Sequence, residues 1–191
     1  LEQKFDISSE GASAPTTAFR VVVDCSVKAE SWKASLPRAR AIATKTMAAA
    51  LTAAGIETSN KGVRDLEISL VLADDAFVRE LNRDYRGKDQ PTNVLSFPSL
   101  EGADLERLWK QPSRRNAQEE ILLGDLVLAF ETVEREALEA EKLLKDHFCH
   151  LVVHGLLHLI GYDHVVEAEA EKMEALETAI LSGIGIKDPY Q

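Results

Sequence analysis

An α+β domain is the fold class this sequence predicts: a small sheet covered mainly on one side by helices, with a histidine-bearing helix central to the core. Three observations predict it. Alternating, β-branched stretches come early, at Phe19 to Val27 and Leu66 to Leu72. Three helical stretches close the chain in succession, Thr132 to Leu144, His147 to Ile160 and Glu167 to Leu181, and strands followed by a run of helices favour segregated layers. Finally, 191 residues with 45% hydrophobic content suit one compact domain large enough to bury a sizeable core.

The elements follow in order. Leu1 to Thr17, rich in Ser, Ala and Gly, reads as a flexible tail, which leaves residues 18–191 for the domain. Phe19 to Val27 is the first strand, and Pro37 to Ala54 an Ala-rich helix ended by Gly55. Leu66, Ile68, Leu70 and Leu72 alternate with Glu67 and Ser69, the period of a half-buried strand. Asp74 suits the N-cap of a helix running through Tyr85, and Asn93 to Phe97 is a short strand stopped by Pro98. The polar stretch 99–120, with Gly102 and Pro112, reads as a loop insertion with one helical turn around Leu105 to Trp109. Ile121 to Ala129 forms the last strand before the three helices, and the sequence carries no internal repeat.

Composition narrows the function. A formal net charge of −10 argues against a general nucleic-acid coat. The charge is uneven, however: Arg79 to Arg115 holds eight Lys and Arg against six Asp and Glu, whereas Glu131 to Thr178 holds four against twelve. The acidic part reads as solvated helical faces, and the basic part gains a functional meaning only if its residues converge near the histidines. No apolar run reaches the ~18 residues of a membrane span, and no secretory leader is expected. The two cysteines, Cys25 and Cys149, form no CxxC and read as small buried side chains in a reducing compartment, so a cytoplasmic location is expected.

Chemistry concentrates in His154-Gly155-Leu156-Leu157-His158-Leu159-Ile160-Gly161-Tyr162-Asp163-His164. Histidines four apart on a helix project from one face, so His154 and His158 can aim two imidazoles at one ion. Gly161 lets the chain leave the helix with a positive φ, and His164 can return as a third ligand. Three neutral imidazoles leave one position of a tetrahedral Zn²⁺ open, the arrangement of a catalytic site. A rival triad of His150, His154 and His158 fails on distance, because eight helical residues separate its ends by roughly 12 Å. His150 then reads as a packing residue or one that supports a ligand, and His147 as a solvated one. Zn²⁺ is the default ion, although imidazoles also suit Ni²⁺, Cu and Fe.

The order HxxxHxxGxxH is that of metzincin proteases, but those place a Glu after the first histidine as general base. Here the position is Gly155. An activated water without that proton acceptor is poorly equipped for amide hydrolysis, so a metallopeptidase is the weaker reading. A second segment offers different chemistry. In Tyr85-Arg86-Gly87-Lys88 the chain turns between a helix and a strand, where a side chain can project into a neighbouring cleft. A planar guanidinium grips phosphate in two places, which makes Arg86 the candidate to hold a phosphodiester and stabilise developing charge.

Together, Tyr85 to Lys88, Thr92-Asn93-Val94-Leu95-Ser96-Phe97-Pro98, Leu123-Gly124-Asp125-Leu126 and His154 to His164 resemble, in order and wording, the YbeY family of bacterial endoribonucleases. The resemblance covers roughly residues 66–190. It implies a zincin-like fold with a small, mostly parallel sheet of about four strands. It further implies a metal-dependent, single-strand-specific ribonuclease acting in ribosomal RNA maturation, at the 3′ end of small-subunit (16S) RNA, and in ribosome quality control. By that likeness the metal ligands fall on His154, His158 and His164, and the functionally important arginine on Arg86, with His158 and Arg86 carrying the catalysis. The expected partners are single-stranded RNA and small-subunit ribosomal proteins or an assembly GTPase; neither DNA nor membrane is expected. Asp163 and Asp125 are candidate orienters of a ligand imidazole or of the arginine. The segment 99–120 and the N-terminal tail are longer than the family leads one to expect. In the segment, Arg107, Trp109, Lys110, Arg114 and Arg115 could add phosphate and base contacts. A non-catalytic ribosome-assembly factor with a structural metal is the other alternative.

Overall fold

The structure, a computed structural model, describes residues 18–59, 64–110, 119–163 and 166–191. The N-terminal stretch 1–17 and His164 therefore lie outside the described residues.

Four strands form one mixed sheet in the order β1-β2-β4-β3: β1 (Phe19–Val27), β2 (Arg64–Ala73), β3 (Val94–Pro98) and β4 (Glu119–Ala129). Strands β1, β2 and β4 run parallel, and β3 joins β4 antiparallel at the edge. The mixed, mostly parallel α+β sheet expected above is thus present. Helices α1 (Glu30–Ser35), α2 (Ala39–Ala53), α3 (Asp75–Arg86), α4 (Gly102–Lys110), α5 (Phe130–Glu139), α6 (Leu144–Leu159) and α7 (Glu167–Gly183) complete it. Among the described residues no helix is long and apolar enough to cross a membrane.

The alternation read in β2 is real. Leu66, Ile68, Leu70 and Leu72 are fully buried, and join Met47 and Leu51 of α2 and Val152 and Leu156 of α6 in the main core. Parallel pairing with β1 and β4 buries this face continuously. A smaller cluster, Ala73, Val78, Leu95, Val127 and Ala129, lies under α3. Helix α6 is central, touching α2, α5, α7, β3 and β4. Both cysteines are free, and burial pushes both thiols up from their ordinary range.

Two elements exceed the sequence reading. Helix α1 is too short for periodicity to reveal, yet it inserts Trp32 into the core, where the indole donates to the Ala73 carbonyl at 2.9 Å. Within 99–120 the single expected turn is a nine-residue helix, α4, because Leu105 and Leu108 are three apart and both buried. Its half-buried Trp109 packs edge-on against Phe19 with ring centroids 5.8 Å apart.

Two glycines set how closely layers approach. β4 is irregular opposite Glu67 and Ile68, where Leu123 is skipped in the pairing, and Gly124 follows at φ 144°. A β-carbon on Gly124 would lie 2.2 Å from the Phe97 carbonyl oxygen and 3.0 Å from Pro98 Cα, both backbone atoms of β3. Gly155 of α6 sits over β3 and β4: a β-carbon there would meet Leu126 Cδ2 at 2.8 Å and Ser96 Oγ at 3.1 Å.

Polar contacts tie the helices to this frame. Helix α3 is capped by Asp74, which accepts from Phe77 N at 2.8 Å as expected. Helices α3 and α5 also cap each other, Asp75 N donating to Glu131 and Thr132 N donating to Asp75. Glu136 of α5 accepts from Asn93, just before β3, and from His147 Nε2 of α6, the latter at 2.8 Å. His147 is therefore a buried link between helices and not the solvated residue expected from the sequence. Partial burial pushes the Glu136 carboxyl up, but the bonds from His147 and Asn93 outweigh it, and the net shift is below the usual carboxylate range.

Two outcomes follow. Gly124→Ala is expected to lose about 3 kcal/mol or more in urea denaturation, because both the positive φ and the backbone clash oppose it. The depressed carboxyl of Glu136 adds stability that is present above its ordinary value of 4.5 and is lost as pH falls through its lower folded value. Glu136→Gln should then lower the urea midpoint at pH 7, and the gap from wild type should close as the pH is taken below 4.5.

Candidate active site

The histidines of α6 are held from behind. His154 Nδ1 lies 2.9 Å from Glu177 Oε1 of α7, and His158 Nδ1 lies 3.0 Å from the Tyr162 carbonyl oxygen. A carbonyl oxygen only accepts, so His158 Nδ1 is the donor. Burial raises the Glu177 carboxyl, but bonds from His150, His154 and Tyr190 more than offset this and bring it down to about 2. Glu177 is thus a carboxylate, and His154 Nδ1 donates to it. In the neutral form of each ring the lone pair then sits on Nε2, and the two Nε2 atoms face each other 3.3 Å apart.

Two acceptors at that distance repel unless a cation or proton lies between them. Zn–N bonds of about 2.0–2.1 Å in a tetrahedron set ligand nitrogens about 3.3–3.4 Å apart, the separation the pair shows. The donor set and its backing therefore fit a divalent ion. Among the described residues no group of three His, Cys, Asp or Glu surrounds one point, and the third expected ligand, His164, lies outside them.

The turn after α6 forms as its glycine predicts. Gly161 adopts φ 93°, and Tyr162 N donates back to Leu157 O at 3.0 Å, closing a Schellman-type end. This geometry carries the Tyr162 carbonyl back beneath His158. His150, the excluded member of the rival triad, points to Glu177 Oε2 at 3.0 Å, and not into the His154–His158 pair.

Arg86 is the last residue of α3, which ends at Gly87 in the left-handed conformation with φ 69°. The turn beyond is clamped. Buried Asn82 donates to Gln90 O at 2.8 Å, and Arg79 makes two bonds to Asp89 at 2.7 and 2.9 Å. Arg83 pairs with Asp84, and Arg107 with Asp104. Arg86 is exposed, and makes no ion pair or hydrogen bond among the described residues. It lines a cleft of about 320 Å³ together with Ser96 and Pro98 of β3, Leu100 to Gly102 and Leu105, and His158, Gly161, Tyr162 and Asp163. Of the basic residues between Arg79 and Arg107, Arg86 is the one in the cleft wall; Arg114 and Arg115 lie outside the described residues. Two larger cavities, of about 480 and 430 Å³, lie beside His147 and His150 and between α2 and α6, and Arg86 and His158 line neither.

Of the two candidate orienters, Asp163 lines the cleft. Asp125 does not. It alternates with Leu126, which contacts the Gly155 position of α6, and so lies on the opposite, α3 side of the sheet. Glu177, by contrast, does not stand out in the sequence, where the acidic helical faces read as solvated. A signal existed: Met173, Glu177, Ile180 and Leu181 share one stripe of α7, so the carboxylate stands at an apolar position.

Because Arg86 is exposed and unpaired among the described residues, Arg86→Ala should leave the urea midpoint within the equivalent of about 0.5 kcal/mol of wild type.

Comparison with known proteins gives the family of the chain. A family model described as "Endoribonuclease YbeY" matches residues 26–185. The Endoribonuclease YbeY of Paramagnetospirillum magneticum is 49% identical over 175 residues, covering 92% of this chain and 98% of that protein. That of Agrobacterium fabrum is 46% identical over 169 residues, covering 88% and 94%. A solution structure of a Thermotoga maritima protein aligns over 91% of this chain and 99% of its own, at 21% identity and a TM-score of 0.41, a likeness too slight to bear on the fold. On the sequence matches, the chain belongs to the endoribonuclease YbeY family.

Proposed function

We propose that this chain is a metal-dependent, single-strand-specific endoribonuclease that matures ribosomal RNA at the 3′ end of the small-subunit (16S) RNA and takes part in ribosome quality control in the cytoplasm. The family supports hydrolysis of RNA phosphodiester bonds as its chemistry. The observation that carries the metal-dependent reading is that Arg86 and His158 line one cleft, with His158 Nε2 set 3.3 Å from His154 Nε2.

His154, His158 and His164 would hold the ion, Zn²⁺ first and Ni²⁺ next. When bound, it would supply a Lewis acid for a phosphoryl oxygen and for water. Arg86 shares the cleft lining with two carboxylates, Glu101 and Asp163, and a dication there would add positive charge for a phosphodiester.

The remaining work falls to the chain itself. Arg86 grips the non-bridging phosphate oxygens and stabilises the added charge of the transition state. Glu177 and the Tyr162 carbonyl keep the His154 and His158 lone pairs aimed inward. Pro98, Leu100 and Leu105 give the cleft an apolar wall for the nucleotide. Position 155 faces Leu126 and Ser96 of the sheet, so it provides no place for a protease-type base and speaks against peptide hydrolysis. Small-subunit ribosomal proteins or an assembly GTPase would present the RNA to so acidic an enzyme.

The test is purified protein of measured metal content, incubated with single-stranded RNA, duplex RNA and a peptide. Cleavage of the single strand alone is expected. Arg86→Glu should abolish it with metal retained, and His158→Ala should lose both metal and cleavage. Undiminished cleavage after chelation would overturn metal dependence, and cleavage surviving in both variants would mark a contaminating nuclease.

A further inference from the structure

The carboxylate behind His154 is itself held from a distant part of the chain. Glu177 is fully buried and receives three donors: His154 Nδ1 on Oε1, and His150 Nε2 and the Tyr190 hydroxyl on Oε2. Tyr190 lies in a C-terminal turn fastened at several points. Its N–H donates to Asp188 Oδ1 at 2.9 Å, Thr178 of α7 donates to the same oxygen at 3.5 Å, and Lys142 donates to the Pro189 carbonyl. The Tyr190 ring also stands edge-on to His150, with centroids 5.6 Å apart.

We propose that Tyr190 is a positioning residue for the metal centre, acting through Glu177. A carboxylate with a donor on each oxygen can still rotate. Two donors on Oε2 from different elements fix the plane in which Oε1 meets His154. That plane holds His154 in the Nδ1–H tautomer and presents its Nε2 lone pair to the position shared with His158. The C-terminal turn is therefore part of the support of the site, although its residues do not line the cleft. This inference rests on the metal reading above, and its test separates the two.

Zn²⁺ affinity is measured by competition with a chromophoric chelator for wild type, Tyr190→Phe and Glu177→Gln, beside circular dichroism and urea midpoints of the metal-free proteins. Tyr190→Phe keeps the ring against His150 and removes only the donor. It should weaken Zn²⁺ roughly three- to tenfold, and Glu177→Gln roughly 10- to 100-fold, the usual range for groups that orient a ligand. In ¹⁵N spectra of the metal-free protein, His154 should be the Nδ1–H tautomer in wild type and a mixture in Glu177→Gln. Wild-type affinity in Tyr190→Phe overturns the role of Tyr190, and an unchanged tautomer in Glu177→Gln overturns the route through Glu177. If wild type binds no Zn²⁺, the metal reading fails, while a tautomer mixture in Tyr190→Phe still upholds the positioning role and its absence removes it. Should Glu177→Gln not fold, Tyr190→Phe decides alone.

Discussion

The contact on which the rest depends is the close approach of α6 to β3 and β4 at Gly155. With no side chain at that point, the helix backbone comes down onto Leu126 and Ser96. The seating fixes which faces of α6 remain for other work. One is spent on the core with Val152 and Leu156; the other carries His147, His150, His154 and His158 toward α5, α7 and the cleft. The glycine that looks in sequence like a missing protease base is thus first a packing residue. Its chemical consequence, the absence of a carboxylate beside the first histidine, follows from a steric need.

Two carboxylates then hold the polar face of α6 in register. Glu136 joins α5, Asn93 at the entry to β3 and His147; Glu177 joins α7, the C-terminal turn, His150 and His154. Glu177 is buried away from water and Glu136 partly so, and in each the lost solvation is offset by several donors. Such networks are costly when a member is missing, so they discriminate against alternative placements of the helices more than they add to stability. The first aligns the helix along its length, and the second sets the rotation of a single imidazole.

Much of this was legible in the sequence, for identifiable reasons. The strand period of Leu66 to Leu72 is strict because one face is wholly buried, and Asp74 and Gly87 mark the ends of α3 because a cap and a left-handed turn each demand a narrow set of residues. His154, His158 and Gly161 could be read together because helical spacing and a positive φ are local properties. What escaped was long-range. Glu177 lies 23 residues from His154, and its helix looks solvated until the one apolar stripe is traced. His147 seemed a surface residue because its partner, Glu136, belongs to another helix. α1 and α4 are too short to show a period, and were specified by single anchors, Trp32 in one and Leu105 with Leu108 in the other.

The clamped turn after α3 has a consequence for how fast and how tightly an anion is caught. With Asn82 bonded to Gln90 and Arg79 to Asp89, the backbone beneath Arg86 is ordered before any ligand arrives. The entropy lost on capture is then confined to the torsions of one side chain, of order 2 kcal/mol for an arginine, instead of that sum plus 1–2 kcal/mol for each loop residue. An exposed guanidinium on a rigid stalk can also sample its orientations within nanoseconds, so encounter does not wait for a loop to close. Discrimination between ligands consequently passes to the opposite wall of the cleft, where the histidines stand.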